Sequence, residues 1–384
     1  MSLALIMCLA ATAAPLADVP FDDDFGLIFF EVRVNGSEPV SFFLDTGFDV
    51  SIIDADVASV LGLEILETKD EAQPGGSVEM SRLAPVSISI GGLAIDDVHL
   101  TTAPLSGAAS IIGRQFGGIL GHDVLERFVV DIDYPDRRLR FIAAEAWDHT
   151  GPGQVLPVTI IDNEVFVNAG IEMPGGRTVF GPFKLDTGST DVAGLNLNFV
   201  QDSALIEPGT IEIGAGGVAM GGSTEGRRFR AKAFIFGADR IKNPVIGYTV
   251  DSAGFENRDD AGTFGAAVLS RYRLILDYQR QRIIVEDGPN ADGPVAEDMS
   301  GLLDVSPGPD FDTLAVAQVI PGSPAAEAGL EPGDLIISMN GRDDWTLRDI
   351  REAFKQPGPV QIVISNDGVS RELTLVRRPV VPRD

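Results

Sequence analysis

The chain contains one short motif twice: Phe42-Phe43-Leu44-Asp45-Thr46-Gly47 and Phe183-Lys184-Leu185-Asp186-Thr187-Gly188-Ser189. Each copy is a strand-like run that ends in an acid, a hydroxyl and a glycine. A single Asp-Thr-Gly would mean little, because short motifs recur by chance in long chains. Two copies in matching surroundings are the feature from which we predict the fold of residues 20–286.

The sequence before each copy predicts the same hairpin. The alternating run Leu27–Val34 is followed by Asn35-Gly36, a strong turn dipeptide, and then by a return strand that ends at the first motif. The run Val165–Ile171 is followed by the turn Pro174-Gly175-Gly176 and by a return strand that ends at the second motif. Each hairpin therefore places one aspartate at the end of a strand.

The sequences after the two copies also correspond. We expect Gly75-Gly76-Ser77-Val78 and Gly214-Ala215-Gly216-Gly217 to form mobile hairpin tips, since both lie between strand-like stretches. Further on, Ile119-Leu120-Gly121 and Thr263-Phe264-Gly265 each lead into a short helix and a hairpin. The aspartates of the two motifs are 141 residues apart, and the glycines of these two turns are 144 apart. The pattern predicts a duplicated β domain.

Linkers and a change of pattern divide the chain into parts. The polar stretch 145–157 separates a first lobe, predicted over 19–148, from a second lobe over 149–290. A second linker rich in Gly and Pro follows at 286–294. Residues 298–380 then combine strand-like runs with helical ones. We predict an all-β, two-lobed protein followed by a small α+β domain.

Composition excludes two classes of partner. The 384 residues include 29 Lys plus Arg and 57 Asp plus Glu, which gives a formal net charge of −28. Such an acidic surface repels nucleic acid and anionic lipid, so we expect neither to be a partner. We expect a monomer, because both aspartates lie in one chain.

The N-terminal segment predicts export. The apolar run Leu3–Ala10 is followed by small residues, and we predict a signal peptide over 1–18. The protein would then be periplasmic or extracellular, or tethered to the membrane if the segment is not cleaved. The single cysteine, Cys8, lies in this run, so the mature protein would contain no thiol for a disulfide, a nucleophile or a metal site.

Two acids at the ends of related strands suggest a catalytic pair. If Asp45 and Asp186 meet on a pseudo-twofold axis, they cannot both ionise and will share a proton. One then acts as a base toward a water molecule while the other donates a proton or hydrogen bond to a peptide carbonyl. This chemistry needs no metal and no cofactor, and we expect none.

The neighbouring residues can support such a pair. Gly47 and Gly188 allow a tight turn and bring backbone N–H groups to the carboxylates. The hydroxyls of Thr46 and Thr187 can form hydrogen bonds across the axis and fix the two loops.

On these motifs, residues 25–286 resemble the retropepsin and pepsin families of aspartic proteases. The resemblance implies a bilobal double β-barrel, cleavage of polypeptides, and Asp45 and Asp186 as the catalytic residues. Pepsin-like enzymes usually carry Ser or Thr directly after Asp-Thr-Gly. Ser189 fits this pattern and Phe48 does not, so a hydrogen bond to the first carboxylate is expected to be missing, and a low-pH optimum is not assumed.

The C-terminal part resembles a bacterial-type PDZ domain. The motifs that carry the resemblance are Pro324-Ala325-Ala326, Ala328-Gly329-Leu330, Gly333-Asp334-Leu335-Ile336 and Asn340-Gly341. The resemblance implies capture of an extended peptide by strand addition, often at a free C-terminus. It points to Ser300-Gly301-Leu302-Leu303 as the carboxylate-binding loop, with Gly301, Leu302 and Leu303 as peptide-binding residues.

Alternative functions remain at this stage. The lobes could keep the fold without the activity, which would leave a peptide-binding scaffold that uses the PDZ groove. A glycoside hydrolase with two carboxylates is a more distant reading that does not explain the threonines or glycines. Other acids and the histidines carry no catalytic or metal-binding spacing, and we expect structural roles for them: Asp49, Asp131, Asp133, Asp277, His99, His122 and His149.

Overall fold

The computed structural model describes residues 14–73, 76–219, 222–250, 259–291 and 293–383. It consists of two β lobes and a smaller C-terminal domain. Within the described ranges, no helix has the length and apolar character needed to cross a membrane. Most of the predicted signal segment, through residue 13, lies outside these ranges.

The first lobe is built from thirteen strands and three short α-helices of the described chain. The strands are β1 Ala17–Pro20, β2 Asp22–Asp24, β3 Leu27–Val34, β4 Val40–Leu44, β5 Ile52–Asp54, β6 Ile65–Gln73, β7 Gly76–Leu83, β8 Val86–Ile90, β9 Leu93–Val98, β10 Thr101–Ala103, β11 Gly118–Leu120, β12 Val129–Asp133 and β13 Arg138–Ile142. The helices are α1 Ala55–Val60, α2 Ser106–Ile112 and α3 His122–Leu125, and a 3-10 turn covers Ala144–Ala146.

The second lobe has a similar order of elements, with twelve strands and two short α-helices in the described chain. Its strands are β14 Gln154–Ile161, β15 Glu164–Glu172, β16 Thr178–Leu185, β17 Ala193–Leu195, β18 Glu212–Ala219, β19 Gly222–Arg230, β20 Ala233–Phe236, β21 Asp239–Lys242, β22 Val245–Thr249, β23 Gly262–Phe264, β24 Tyr272–Asp277 and β25 Arg282–Asp287. Its helices are α4 Leu197–Asp202 and α5 Ala266–Leu269.

A run of six strands joins the lobes, in the order β1-β13-β12-β24-β25-β14. At its centre β12 and β24 are antiparallel, with Asp131 opposite Ile275. These two positions are 144 residues apart in sequence, as expected if a twofold axis passes between them. The buried Asp131 accepts hydrogen bonds from Arg273 of the other lobe, at 2.7 and 2.9 Å, which adds a charged contact to the shared ladder.

The C-terminal domain contains one sheet of five strands, in chain order, with β26 at one edge. The strands are β26 Leu302–Val305, β27 Ala315–Val319, β28 Leu335–Met339, β29 Gly358–Asn366 and β30 Val369–Arg377, and the helices are α6 Pro324–Ala328 and α7 Leu347–Phe354. Helix α7 begins at a capping box in which Thr346 and Asp349 satisfy each other's backbone N–H groups. Its buried face (Leu347, Ile350 and Phe354) packs on the sheet.

Local sequence explains the hairpins that carry the motifs. Asn35 and Gly36 both have positive φ, 49° and 75°, the conformation that favours Asn and Gly in a tight turn between β3 and β4. The observed bounds of β3 and β4 agree with the predicted strands. The corresponding turn of the second lobe uses Gly176, with φ of 88°.

One predicted hairpin tip is wrong, and the other cannot be judged. Gly214–Gly217 lies inside β18, where it pairs regularly with β19, and this pairing continues to Ala219. A Cβ on Gly216 would lie 2.5 Å from Oε1 of Gln318 in the C-terminal domain, so this glycine serves a close approach and not a turn. For the first segment, Gly75 lies outside the described residues, and Gly76 begins β7.

Two predicted boundaries also differ from the observed elements. Gln154–Pro157, assigned to the linker between the lobes, belongs to β14 and pairs with β25. Ala17 and Asp18, assigned to the signal segment, belong to β1 and pair with Phe141 and Arg140. In both places a polar or small-residue stretch forms a strand because a neighbouring strand supplies the hydrogen bonds.

Candidate active site

Each Asp-Thr-Gly loop is held between two parallel strands. In the first lobe β4 pairs with β11, and the N–H of Asp45 donates to the carbonyl of Leu120 at 3.0 Å. In the second lobe β16 pairs with β23, and the N–H of Asp186 donates to the carbonyl of Phe264 at 3.1 Å. The turns predicted from Gly121 and Gly265 therefore end the strands that support the two aspartates.

The two threonines connect the loops by reciprocal hydrogen bonds. The hydroxyl of Thr46 donates to the carbonyl of Leu185 at 2.7 Å and accepts from the N–H of Thr187 at 3.1 Å. The hydroxyl of Thr187 donates to the carbonyl of Leu44 at 2.9 Å and accepts from the N–H of Thr46 at 3.0 Å. Both side chains are buried, and the four bonds fix the loops against each other.

The glycines let the carboxylates approach the opposite loop. The N–H of Gly47 donates to Asp45 at 2.8 Å, and that of Gly188 donates to Asp186 at 3.0 Å. A Cβ on Gly47 would lie 2.8 Å from both carboxylate oxygens of Asp186, and one on Gly188 would lie 2.1 Å from Oδ2 of Asp45. Any larger residue would push the two carboxylates away from each other's loop.

Burial and a neighbouring acid change the acidity of the first aspartate. Asp45 is 5% exposed, and burial raises its pKa well above its usual range. Asp186 raises this pKa further, both as a nearby charge and as a hydrogen-bond partner, while the N–H of Gly47 and the ammonium of Lys184 act in the opposite direction. The arrangement favours a proton held between the two carboxyl groups.

Sequence reasoning missed a nearly buried ion pair beside the two aspartates. Nζ of Lys184 lies 3.0 Å from Oε1 of Glu164 and donates to the carbonyl of Gly47 at 3.2 Å. The lysine is thus in contact with the Asp-Thr-Gly loop of the other lobe. The available signal was a charged residue two positions before Asp186, where the first lobe has Phe43.

The residue that directly follows Asp-Thr-Gly is apolar in the first lobe and carries a hydroxyl in the second. Phe48 packs against the apolar cluster of the first lobe and has no group that could donate to Asp45. Ser189 has a hydroxyl, which accepts from the N–H of Asp191 at 3.4 Å. The carbonyl of Ser189 accepts from the N–H of Ala266, which joins the second loop to α5.

The other acids and histidines occupy structural positions. Asp131 and Asp277 are buried in ion pairs with arginines, and Asp49 is exposed. His122 begins α3, as expected, but it is buried against Tyr278. Across the part of the chain that the structure describes, no group of three or more His, Cys, Asp or Glu residues could hold a metal ion.

Comparison with protein families identifies two segments of this chain. Residues 30–124 match the family described as aspartyl protease, and residues 315–365 match the PDZ domain family. The predicted resemblance to an aspartic protease with a C-terminal PDZ domain is confirmed. The second Asp-Thr-Gly motif lies outside the matched segment, so its place in the site depends on the geometry above.

Curated relatives cover only parts of the chain. It is 29% identical over 118 residues to Metalloprotease MmpA of Caulobacter vibrioides, which covers 30% of each protein. It is 43% identical over 49 residues to Serine protease HTRA1 of Xenopus laevis, 13% of this chain and 11% of that protein. It is 33% identical over 88 residues to the Carboxyl-terminal-processing protease of Synechocystis sp., 21% of each. The chain therefore spans less than a third of these relatives.

Among solved structures, the aspartic proteinase from Irpex lacteus is 14% identical, with a TM-score of 0.47. The likeness covers 73% of this chain and 99% of that chain.

The N–H groups of the predicted carboxylate-binding loop of the PDZ domain donate to nearby side chains of the same segment. The carboxylate of Asp298 accepts from the N–H groups of Ser300 and Gly301, at 3.1 and 2.7 Å. The hydroxyl of Ser300 accepts from the N–H of Leu302 at 3.0 Å. Burial raises the pKa of Asp298 to about 6. Leu302 and Leu303 begin the edge strand β26, half-buried.

The groove of the PDZ domain faces the first lobe. Helix α2 lies against β26, where the N–H of Ser306 donates to the carbonyl of Ser110 at 2.8 Å. On α7, which forms the other wall, Leu347 lies against Gly113, where a Cβ would come within 2.9 Å of the leucine side chain. Arg348 of α7 forms an ion pair with Asp24 at 2.8 Å. The segment Ser110–Gly113 therefore covers the open edge of the PDZ sheet.

The PDZ domain also contacts the second lobe. Arg230 of β19 forms an ion pair with Glu297 at 2.7 Å and donates to the carbonyls of Val381 and Pro382. A cavity of about 180 Å³ lies at this contact, lined by Thr190, Arg228, Asp298 and Ile320 among others. Thr190 directly follows the Asp-Thr-Gly-Ser segment of the second lobe, so this cavity lies next to that segment, and the PDZ domain contacts both lobes.

Proposed function

We propose that the protein is an aspartic endopeptidase in which Asp45 and Asp186 activate a water molecule between them. One carboxylate removes a proton from the water as it attacks the carbonyl carbon of a peptide bond. The other carboxyl group donates its proton toward the carbonyl oxygen. The tetrahedral species then collapses and the C–N bond breaks. The leaving nitrogen takes the proton that the first carboxylate removed from the water, and one hydroxyl of the tetrahedral species returns a proton to the second carboxylate. No covalent bond to the protein forms.

The observation that carries this proposal is the pairing of the two loops. Four threonine hydrogen bonds and the two glycine contacts hold the carboxylates close enough to share a proton. A turn-capping role would explain the N–H bonds from Gly47 and Gly188, but not the approach of each carboxylate to the opposite loop.

Digestion of an unfolded protein tests the proposal. The full chain is assayed from about pH 3 to about pH 8, beside Asp45→Asn, Asp186→Asn and the matched control Asp49→Asn. Asp49 is an exposed acid in the same segment, so its loss should leave cleavage unchanged. We expect each variant of the pair to lose at least about a thousandfold in kcat/KM. Cleavage retained by Asp186→Asn would contradict the paired mechanism, and absence of cleavage by the unmodified chain would favour a peptide-binding scaffold.

We infer further that the PDZ domain recruits or positions polypeptide substrate by strand addition along β26. A peptide that takes this edge must displace Ser110–Gly113 of the first lobe. A free C-terminal carboxylate must also displace the carboxylate of Asp298 from the loop. Peptide binding in the groove is therefore coupled to movement of the first lobe against the PDZ domain.

Hydrogen exchange on Asp45→Asn tests this coupling without cleavage. The probe is a peptide digest of the unfolded substrate protein. Binding in the groove should slow exchange across Leu302–Val305 and accelerate exchange in the displaced helix α2. If exchange stays unchanged in both segments as the concentration of the probe is raised, substrate capture by this groove is contradicted.

A further inference from the structure

The two lobes place different residues at one equivalent position beside the aspartates. Phe43 and Lys184 each lie two residues before the motif aspartate. Phe43 pairs with Phe29 and Ile119 on the neighbouring strands, and Lys184 pairs with Phe166 and Thr263. The registers match, so the lysine occupies in the second lobe the place of the phenylalanine in the first.

The same registers identify the partner of the lysine. Leu27 precedes Phe29 by two residues, and Glu164 precedes Phe166 by two. Leu27 and Phe43 belong to one apolar cluster in the first lobe. In the second lobe the corresponding residues are an ion pair whose side chains are only 11% and 15% exposed. A nearly buried ion pair in the second lobe therefore occupies the place of two apolar residues in the first.

The lysine has a contact that its salt bridge does not explain. Its Nζ donates to the carbonyl of Gly47, in the loop that carries Asp45 on the other lobe. A lysine that served only to pair with Glu164 would not need to reach across the lobe interface. The contact fixes a positive charge beside the first aspartate.

We propose that Lys184 is a positioning residue of the two-aspartate site, which ties the first catalytic loop to the second lobe and stabilises the negatively charged form of the pair. This inference rests on the proposed function for its kinetic consequences. It also has a consequence for stability that does not require activity.

The charges around the lysine support this role. The groups that act on Lys184 are the carboxylates of Asp186, Glu164 and Asp45. Burial by itself lowers the pKa of Lys184, but these three carboxylates outweigh it and raise the pKa, so the side chain is positively charged across the working range. The charge of Lys184 favours the ionised form of Asp45, and the charge of Asp186 opposes it.

The pH profile of kcat/KM tests the proposal. Lys184→Met keeps the aliphatic length but removes the charge and the hydrogen bond to Gly47. Loss of the cation makes deprotonation of the pair harder, so both limbs of the profile should move to higher pH, by about one unit. Lys184→Arg should return both limbs most of the way to their pH in the unmodified chain, because it restores the positive charge. Glu164→Gln removes an anion and keeps the cation, so it should move the limbs to lower pH.

These variants separate an electrostatic role from a structural one. A residue that only held the lobes together would lower kcat/KM equally at every pH when replaced. Limbs that stay at the same pH in Lys184→Met would therefore overturn the proposal, as would a shift of the same sign in Lys184→Met and Glu164→Gln.

Thermal unfolding as a function of pH tests the lysine independently of cleavage. Because the folded-state pKa of Asp45 is raised, its contribution to stability is present at low pH and is lost as pH rises through that pKa. In Lys184→Met this stability should be lost at higher pH than in the unmodified chain, because removal of the cation raises the pKa of Asp45 further. Asp45→Asn should not show this pH-dependent loss of stability. If the unmodified chain cleaves nothing, the proposed function fails while this measurement still decides the role of Lys184. Identical pH profiles in the unmodified chain and Lys184→Met would overturn it.

Discussion

The two lobes have the same backbone around their aspartates but not the same environment. In the first lobe Leu27 and Phe43 pack in an apolar cluster, and in the second Glu164 and Lys184 form an ion pair. Strand pairing and the threonine hydrogen bonds are preserved on both sides. The backbone that supports the two aspartates is therefore alike in the two lobes, while the pair of residues beside each aspartate differs in charge.

A charged residue at this position needs charged and polar partners, which the second lobe provides and the first does not. A cation in a nearly buried place needs a carboxylate partner and hydrogen-bond acceptors, which Glu164 and the carbonyl of Gly47 provide. The first lobe has an aliphatic residue, Leu27, at the corresponding partner position. The asymmetry therefore depends on both members of the pair and cannot be moved by one substitution.

The largest expected effect comes from forcing the first lobe to resemble the second. Phe43→Lys places an unpaired cation among apolar side chains and removes ring contacts with Phe29 and Phe116, whose centroids lie 5.8 and 5.1 Å away. We expect a loss of at least about 3–5 kcal/mol in the free energy of unfolding, measured by urea denaturation. Adding Leu27→Glu should recover part of this loss. A double variant no more stable than Phe43→Lys alone would show that the two lobes are not equivalent at this position.

A smaller loss should follow from breaking the pair of the second lobe. Glu164→Leu leaves Lys184 without its carboxylate partner and should cost about 3 kcal/mol. The double variant Glu164→Leu with Lys184→Phe reproduces the first lobe and should be close to the unmodified chain in stability. Denaturation of both variants measures the difference. Equal losses in the single and double variants would show that the apolar arrangement does not fit the second lobe.

The threonines should behave alike, because their bonds are symmetric. Thr46→Val and Thr187→Val each remove one hydroxyl that both donates and accepts, and leave a buried carbonyl and N–H unsatisfied. We expect each to lower the free energy of unfolding by about 1–3 kcal/mol, with similar values for the two. A large difference between the two melting curves would show that the pseudosymmetry fails at these bonds.

The smallest effect concerns how each lobe holds the PDZ domain. Arg348 is half exposed in its ion pair with Asp24, and Arg230 is mostly buried against Glu297. Arg348→Ala should cost less than about 1 kcal/mol, and Arg230→Ala should cost more. Hydrogen exchange across residues 302–305 provides a second measurement, with Arg348→Ala increasing exchange at the edge that faces the first lobe. The opposite ranking would mean that the first lobe is the main attachment.

Much of the fold followed from local sequence. The alternating run of β3, the Asn35-Gly36 turn and the repeated motif predict both hairpins and the placement of both aspartates, because turn dipeptides and period-two alternation are local signals. The helical spacing of Leu347, Ile350 and Phe354 is also a local signal, and it favours helix α7. Gly214–Gly217 failed because glycine content alone does not distinguish a turn from a strand that another domain approaches closely.

The features that the sequence does not reveal depend on contacts between residues that are far apart in the chain. Lys184 stands out in its strand only as a charged residue where the first lobe has Phe43, and its contacts with Glu164 and the carbonyl of Gly47 appear only in the structure. The contact between α2 and the edge strand β26 joins residues about two hundred positions apart, for which no local pattern exists. Asp298 accepts hydrogen bonds from two N–H groups of the PDZ loop, a contact that no motif in the sequence predicts.

The most direct measurement of the central claim is a pH titration of the aspartate carboxyl carbons by NMR. It is made on the full chain and on Asp186→Asn, with Asp45 assigned by comparison with Asp45→Asn. If the two carboxyl groups share a proton, Asp45 keeps its proton well above the usual range of an aspartic acid, and its pKa falls when Asp186 is replaced. If Asp45 titrates at the ordinary value in both proteins, the two aspartates do not form a pair, and the proposed mechanism is wrong.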